Sequence, residues 1–174
     1  MDTNNSDITT LHNLLDYDAS RFTSAEAQLK PVLVEWINDA GALKLKAVMQ
    51  KYLDFVLQHI VKFESFFETE NIQSIGLQNR VMFALIEDSK EKIGICNEPA
   101  TKDACILACI QRVNHFKISM YGTAASFANT LGMGKAAEIF HEAEVNEKQI
   151  DDRLSQLAEH EINLMARSTV VLEE

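Results

Sequence analysis

Two prolines and six glycines are few for a chain of 174 residues. That scarcity argues against a many-turned β fold and for long uninterrupted helices. Positive charge is also scarce. Sixteen Lys and Arg face twenty-six Asp and Glu, leaving a net charge of −10. A surface this acidic repels phosphate backbones, so nucleic acid and anionic membranes are excluded as expected partners. No apolar run approaches the roughly 20 residues that span a bilayer. The start, "MDTNNSDITT", has no basic region followed by an apolar stretch and does not read as a secretory signal. Only three cysteines occur, Cys96, Cys105 and Cys109. An odd number without a pairing signature suits a reducing cytoplasm, the expected location. The sequence also lacks a Ser-His-Asp order, a phosphate loop, a dinucleotide fingerprint and a cysteine zinc motif.

What remains is strongly helical. Nearly half of the residues are hydrophobic (47%), enough to bury a core in what is expected to be one domain. Ile8, Leu11, Leu15, Phe22, Leu29, Leu33, Trp36 and Ala40 recur every three or four residues and predict one helix over residues 6–40. Ser6 is its expected N-cap and Gly41 its stop, with a bend at Pro31. A second helix is expected over 42–70, with Leu45, Met49, Tyr52, Phe55, Val56, His59 and Phe63 on its buried stripe. A loop follows over 71–76, then a short helix over 77–95. Glu98 or Asn97 caps a third long helix, over 100–131, with Pro99 at its entrance. Gly132 and Gly134 make the next turn, and a last long helix covers 134–166, leaving a loose tail over 167–174. Cys105 and Cys109, one turn apart, read as small core residues. Two helix hairpins joined by one long crossover form an all-α four-helix bundle.

Polar residues interrupt the stripes at one height. Glu26 falls between Phe22 and Leu29, and His59 between Phe55 and Phe63. Asn114 and Lys117 lie on the face of Ile110 and Tyr121, and Glu147 lies between Ala143 and Ile150. A dinuclear carboxylate centre in such a bundle draws a Glu from each of two helices and a Glu-x-x-His from each of the others. Hard iron or manganese ions require those oxygen ligands. Glu26 and Glu147 fit that pattern. Phe55, Asn114 and Lys117 do not, and an inward Lys117 has to find carboxylates because an unpaired buried charge is expensive. His115 falls off the inward line, toward a groove or partner.

Several stretches resemble the YciF/YciE-like family of the ferritin-like superfamily. They are "SAEAQL" at 24–29, "MFALIEDSKE" at 82–91, "DACILACIQRVNHFKISMYGT" at 103–123, "NEKQIDDRLSQLAE" at 146–159 and "INLMA" at 162–166. The resemblance implies a ferritin-like bundle, a homodimer and an association with bacterial stress responses. It also implies metal binding by acidic and His residues. Glu26, His115, Glu147 and Asp151 match the family's pattern. Tyr52 stands in place of a His, Phe55 in place of a Glu, and Asn114 and Lys117 in place of two acidic residues. The departures fall where the chemistry needs ligands. The expected function is therefore non-catalytic, with no cofactor, a Lys117–carboxylate pair and Phe55 plugging a vestigial metal site. The rival expectation is a residual site of Glu26, His59, His115, Glu147 and Asp151. It would hold iron, manganese or zinc and handle oxygen or peroxide. A further expectation is a dimer or ligand face on the side of Phe63, Phe66 and Phe67. No substrate or small-molecule ligand is indicated.

Overall fold

The computed structural model describes residues 7–70 and 77–167. Among them every regular element is helical: α1 (Leu11–Ala19), α2 (Phe22–Asp39), α3 (Leu43–Thr69), α4 (Arg80–Gly94), α5 (Pro99–Thr130) and α6 (Gly134–Leu157). A π turn (Ala158–Ile162) carries α6 into a last short helix, α7 (Asn163–Arg167). The expected Ser6 cap, the 71–76 loop and the tail beyond Arg167 lie outside the described residues.

Cap chemistry sets the boundaries. Thr10 Oγ1 accepts from the Asn13 N–H at 3.0 Å and starts α1. Asn79 Oδ1 accepts from the Met82 N–H at 2.9 Å and starts α4. The Glu98 carboxylate accepts from the N–H groups of Ala100 and Thr101 and opens α5 ahead of Pro99. At the other end of α5, Gly132 takes φ +70°, so the Met133 N–H reaches Ala128 O and the Gly132 N–H reaches Asn129 O. This pair of bonds is a Schellman stop, and it settles the "GMG" as a helix end.

The single helix expected over 6–40 is two helices, α1 and α2. The break falls at Ser20–Arg21, and α2 runs on through Pro31. Ser20 Oγ and the Arg21 guanidinium both donate to Tyr17 O. These side chains compete for a carbonyl that a continuing helix would use.

Cross-helix contacts give the directions. Phe22 meets Phe63 and Glu26 meets His59, so α2 and α3 run antiparallel across the short 40–42 turn. Lys62 pairs with Glu142 and Tyr52 with Glu147, so α3 and α6 are antiparallel. His115 meets Asp151 and Gln111 meets Ser155, so α5 and α6 are antiparallel too. Helices α3 and α5 therefore point the same way, and the chain returns the length of the bundle between them through α4. The order is up, down, down, up with one crossover. The turn between α2 and α3 is held by Asp103 of α5, whose two carboxylate oxygens accept from the Gly41 and Ala42 N–H groups, both at 2.8 Å.

The apolar core is in two parts. One gathers Leu29, Leu33, Trp36, Met49, Ile106, Val113, Ile150 and Leu154. The other gathers Phe22, Phe63, Phe66, Phe67, Ala128, Phe140 and Ala143. Phe63, Phe66 and Phe67 are thus core residues, not a free face. On each long helix the break between the two parts falls at one polar level.

Candidate functional site

That level is built from residues at helical spacing on four helices. Glu26 comes from α2, His59 and Tyr52 from α3, Asn114, Lys117 and Tyr121 from α5, and Glu147 from α6. Each falls on its helix's buried stripe, so folding the stripes inward carries these groups with them. Glu26, Lys117, Asn114 and Glu147 have no solvent exposure at all.

Lys117 is the centre. Its Nζ lies 2.9 Å from Glu26 Oε2 and 2.6 Å from Glu147 Oε1. Both are ion pairs whose angles fall outside hydrogen-bond geometry. The ammonium also sits over the Tyr52 ring, 4.7 Å from its centroid. The remaining carboxylate oxygens are saturated. Glu26 Oε1 accepts from the Tyr121 hydroxyl and faces His59 Nδ1 at 2.9 Å. Glu147 Oε2 accepts from the Tyr52 hydroxyl at 2.6 Å and from Asn114 Nδ2 at 2.7 Å. Asn114 Nδ2 also reaches Glu147 O at 2.9 Å, tying α5 to the α6 backbone. On its far side His59 Nε2 faces Asn146 Nδ2 at 3.2 Å. With this amide orientation the imidazole accepts at Nε2 and donates from Nδ1 to Glu26. The Phe55 ring lies parallel to the His59 ring, centroids 6.4 Å apart, at the edge of the layer.

Burial and charge pull the titrations apart. Burial alone would raise Glu26, but Lys117 and the bonds from His59 and Tyr121 overcome it and hold this carboxyl below its ordinary range. For Glu147, burial outweighs Lys117, and the neighbouring Glu26 charge adds to it, so its pKa is raised. Burial works against a charged Lys117, yet Glu147 and Glu26 reverse the effect and keep it protonated. Burial, then the adjacent carboxylates, push both tyrosine phenols well above their ordinary value.

The residues singled out from the sequence fall into two places. Glu26, His59, Asn114, Lys117 and Glu147 meet in the buried layer with Phe55 at its edge. His115 and Asp151 form a separate pair on the α5–α6 surface, Nε2 to Oδ1 2.8 Å, with side-chain exposures of 62% and 26%. Among the described residues, one donor atom each from Glu26, His59 and Glu147 lie within 4.8 Å of one another. Periodicity alone puts Tyr52 and Tyr121 on the apolar stripes, the family resemblance marks Tyr52 but not Tyr121, and neither marks Asn146 or Asp103. The signal for Tyr121 was its i+4 distance from Lys117.

Comparison with known proteins agrees with this architecture. The family model described as "Domain of unknown function (DUF892)" matches residues 10–167. The chain belongs to the DUF892 family. A relative within reach of this DUF892 chain is Protein YciF of Escherichia coli strain K12, 31% identical over 146 residues, covering 83% of this chain and 88% of that one. The solved structure of the E. coli stress protein YciF superposes with a TM-score of 0.84 at 29% identity, over 90% of this chain and 99% of that chain. YcfI from Rhodopseudomonas palustris shares the fold, with a TM-score of 0.82 at 24% identity over 87% and 96% of the two chains. No helix among the described residues is long and apolar enough to cross a membrane.

Proposed function

We propose that this chain is a non-catalytic, ferritin-like bundle protein of the stress-associated YciF type. It works as a cytoplasmic homodimer, and its dinuclear metal centre has been replaced by a charge-paired and apolar plug. The observation that carries the reading is Lys117 Nζ, fully buried between Glu26 and Glu147 at 2.9 and 2.6 Å. An ammonium there takes up the carboxylate oxygens that a metal pair would need and repels any dication beside it. The residues present do not fit a dinuclear centre. Two carboxylates remain in the layer, and Phe55 brings apolar bulk to a position where a bridging carboxylate would be needed. The similar E. coli protein YciF is a stress protein, which supports the stress association.

A second reading is favoured by the convergence of Glu26, His59 and Glu147, whose donor atoms lie within 4.8 Å. Those three could hold one iron, manganese or zinc ion, provided Lys117 gave up its place. Elemental analysis of protein expressed in metal-rich medium separates the readings. Sub-stoichiometric metal, unchanged in a Glu26→Ala/Glu147→Ala variant, is the expected result. Near-stoichiometric metal that disappears in that variant would overturn the plug. Light scattering on the same sample tests the dimer, against which a monomer mass would count.

A further inference from the structure

All three cysteines of the chain lie where α4 meets α5, outside the charged layer. Arg112 of α5 fixes the register of that antiparallel pair. Its Nη2 donates to Asp88 Oδ2 at 2.6 Å and to Ser89 Oγ at 3.3 Å. Seven residues from Arg112 toward the α4–α5 connection stands Cys105. Seven residues from Ser89 in the same direction stands Cys96. Two helical turns keep Cys105 on the α4-facing side of α5, and the chain leaves α4 at Gly94 with Cys96 two residues on, where its thiol neighbours that of Cys105. The packing agrees. Cys96, half-buried just past the end of α4, rests against the core that contains Cys105 and Cys109. Cys109, one turn further along α5, lies 3.9 Å from Arg112 Nη2 and has no solvent exposure.

The geometry points to Cys96 and Cys105 as an oxidation site, in which peroxide converts the two facing thiols into a disulfide that staples the end of α4 to α5. Cys96 is the entry point because it alone of the three is open to solvent. Its sulfur attacks a peroxide oxygen. The O–O bond breaks, an S–O bond forms, and water leaves a sulfenic acid at Cys96. The Cys105 sulfur then attacks the Cys96 sulfur. The S–O bond breaks, and the departing hydroxide takes the Cys105 proton as water. Two thiols lose two electrons and one peroxide becomes two waters. Burial and its two thiol neighbours push Cys105 up to about 12, so it stays protonated and inert until the oxidised sulfur stands beside it. The second step is accordingly the slow one, and brief exposure leaves Cys96 as its sulfenic acid.

The test is peroxide treatment of the native full chain, followed by denaturation, thiol alkylation and peptide mapping. The expected product is two hydrogens lighter and keeps one alkylatable thiol of its three. It carries a bridge between the tryptic peptides spanning 93–102 and 103–112, reversed by a dithiol reductant. A Cys109→Ser variant still forms the bridge, and Cys105→Ser and Cys96→Ser variants do not. Three free thiols after prolonged treatment would overturn the inference. So would a bridge confined to Cys105 and Cys109, or oxidation that stops on Cys96 as sulfinate.

Discussion

Replacing Lys117 with Met tests whether the buried layer is held by its one cation. The substitution keeps most of the volume and the packing of the side-chain stem and removes the ammonium. Glu26 and Glu147 are then left facing each other, with donor oxygens within 4.8 Å. Two unit charges at that separation repel by about 3.5 kcal/mol at an effective dielectric constant of about 20. The pair escapes by binding one proton. For a carboxyl with an ordinary value of 4.5, that costs about 3.4 kcal/mol at pH 7, at about 1.36 kcal/mol per unit. Both routes agree with the roughly 3–5 kcal/mol lost when one partner of a buried ion pair is removed. The expected loss in a urea titration at pH 7 is therefore about 3–4 kcal/mol. Its pH dependence is the sharper test. In the wild type Glu26 is held below its unfolded value, so its contribution is present above that value and is lost as pH falls through the lower folded one. In the variant a carboxyl is raised in the folded state, so stability returns as pH falls. Between pH 7 and 5.5 the deficit relative to wild type should shrink by up to about 2 kcal/mol, less whatever the already raised Glu147 contributes to the wild type over the same range. A triple variant, Glu26→Gln/Lys117→Met/Glu147→Gln, should recover much of the loss at every pH. A deficit under about 1 kcal/mol, or one that does not change with pH, would refute the reasoning.

Two other groups give independent checks. Asp103→Ala leaves the Gly41 and Ala42 N–H groups without their acceptors and should lower stability by about 2–3 kcal/mol, with faster amide exchange at both residues. Asp103→Asn, which keeps one acceptor oxygen, should lose less, and an unchanged urea midpoint in the Ala variant would count against the role. In alkali, the Tyr52 and Tyr121 phenols are raised well above their ordinary value of 10.0. Their unfolded forms ionise first, so stability should fall as pH rises past about 10. The tyrosinate absorbance of these two residues should appear only with loss of helicity by circular dichroism, and reversible titration of both within the folded protein would contradict their burial.

The helices were legible because their apolar residues keep a period near 3.6 over many turns, and the second and third long helices end within a residue or two of the positions that spacing gives. What periodicity could not show is local competition. The break at Ser20–Arg21 depends on two side chains reaching one carbonyl, and the π turn at Ala158–Ile162 shifts the buried face, so that Ile162 packs inward and Leu164 is exposed. The inward polar residues were legible for a related reason, since a Glu, His or Lys on an apolar stripe has no solvent to face. Their partners were less so. A tyrosine satisfies an apolar stripe with its ring, and its hydroxyl acquires a meaning only when the carboxylate of another helix is placed beside it. Asp103 was hidden differently: an acidic residue in the first turns of a helix is ordinary, and nothing along the chain shows that Gly41 and Ala42 will arrive opposite it.

The layer bears on specificity more than on net stability. Taking two carboxylates and an ammonium out of water offsets much of what their attraction supplies, and a well-packed apolar layer of the same volume would be about as stable. An apolar layer, however, tolerates sliding, because Leu and Phe accept many neighbours. This one does not. Glu26 needs His59, Lys117 and Tyr121, while Glu147 needs Tyr52, Asn114 and Lys117. A shift of any one helix by a turn, about 5.4 Å, would strand a buried charge on another. The four stripes are individually compatible with several registers, and the charges select one. That selection asks only that the cation stay in place, which makes Lys117 the residue whose loss the bundle should tolerate least.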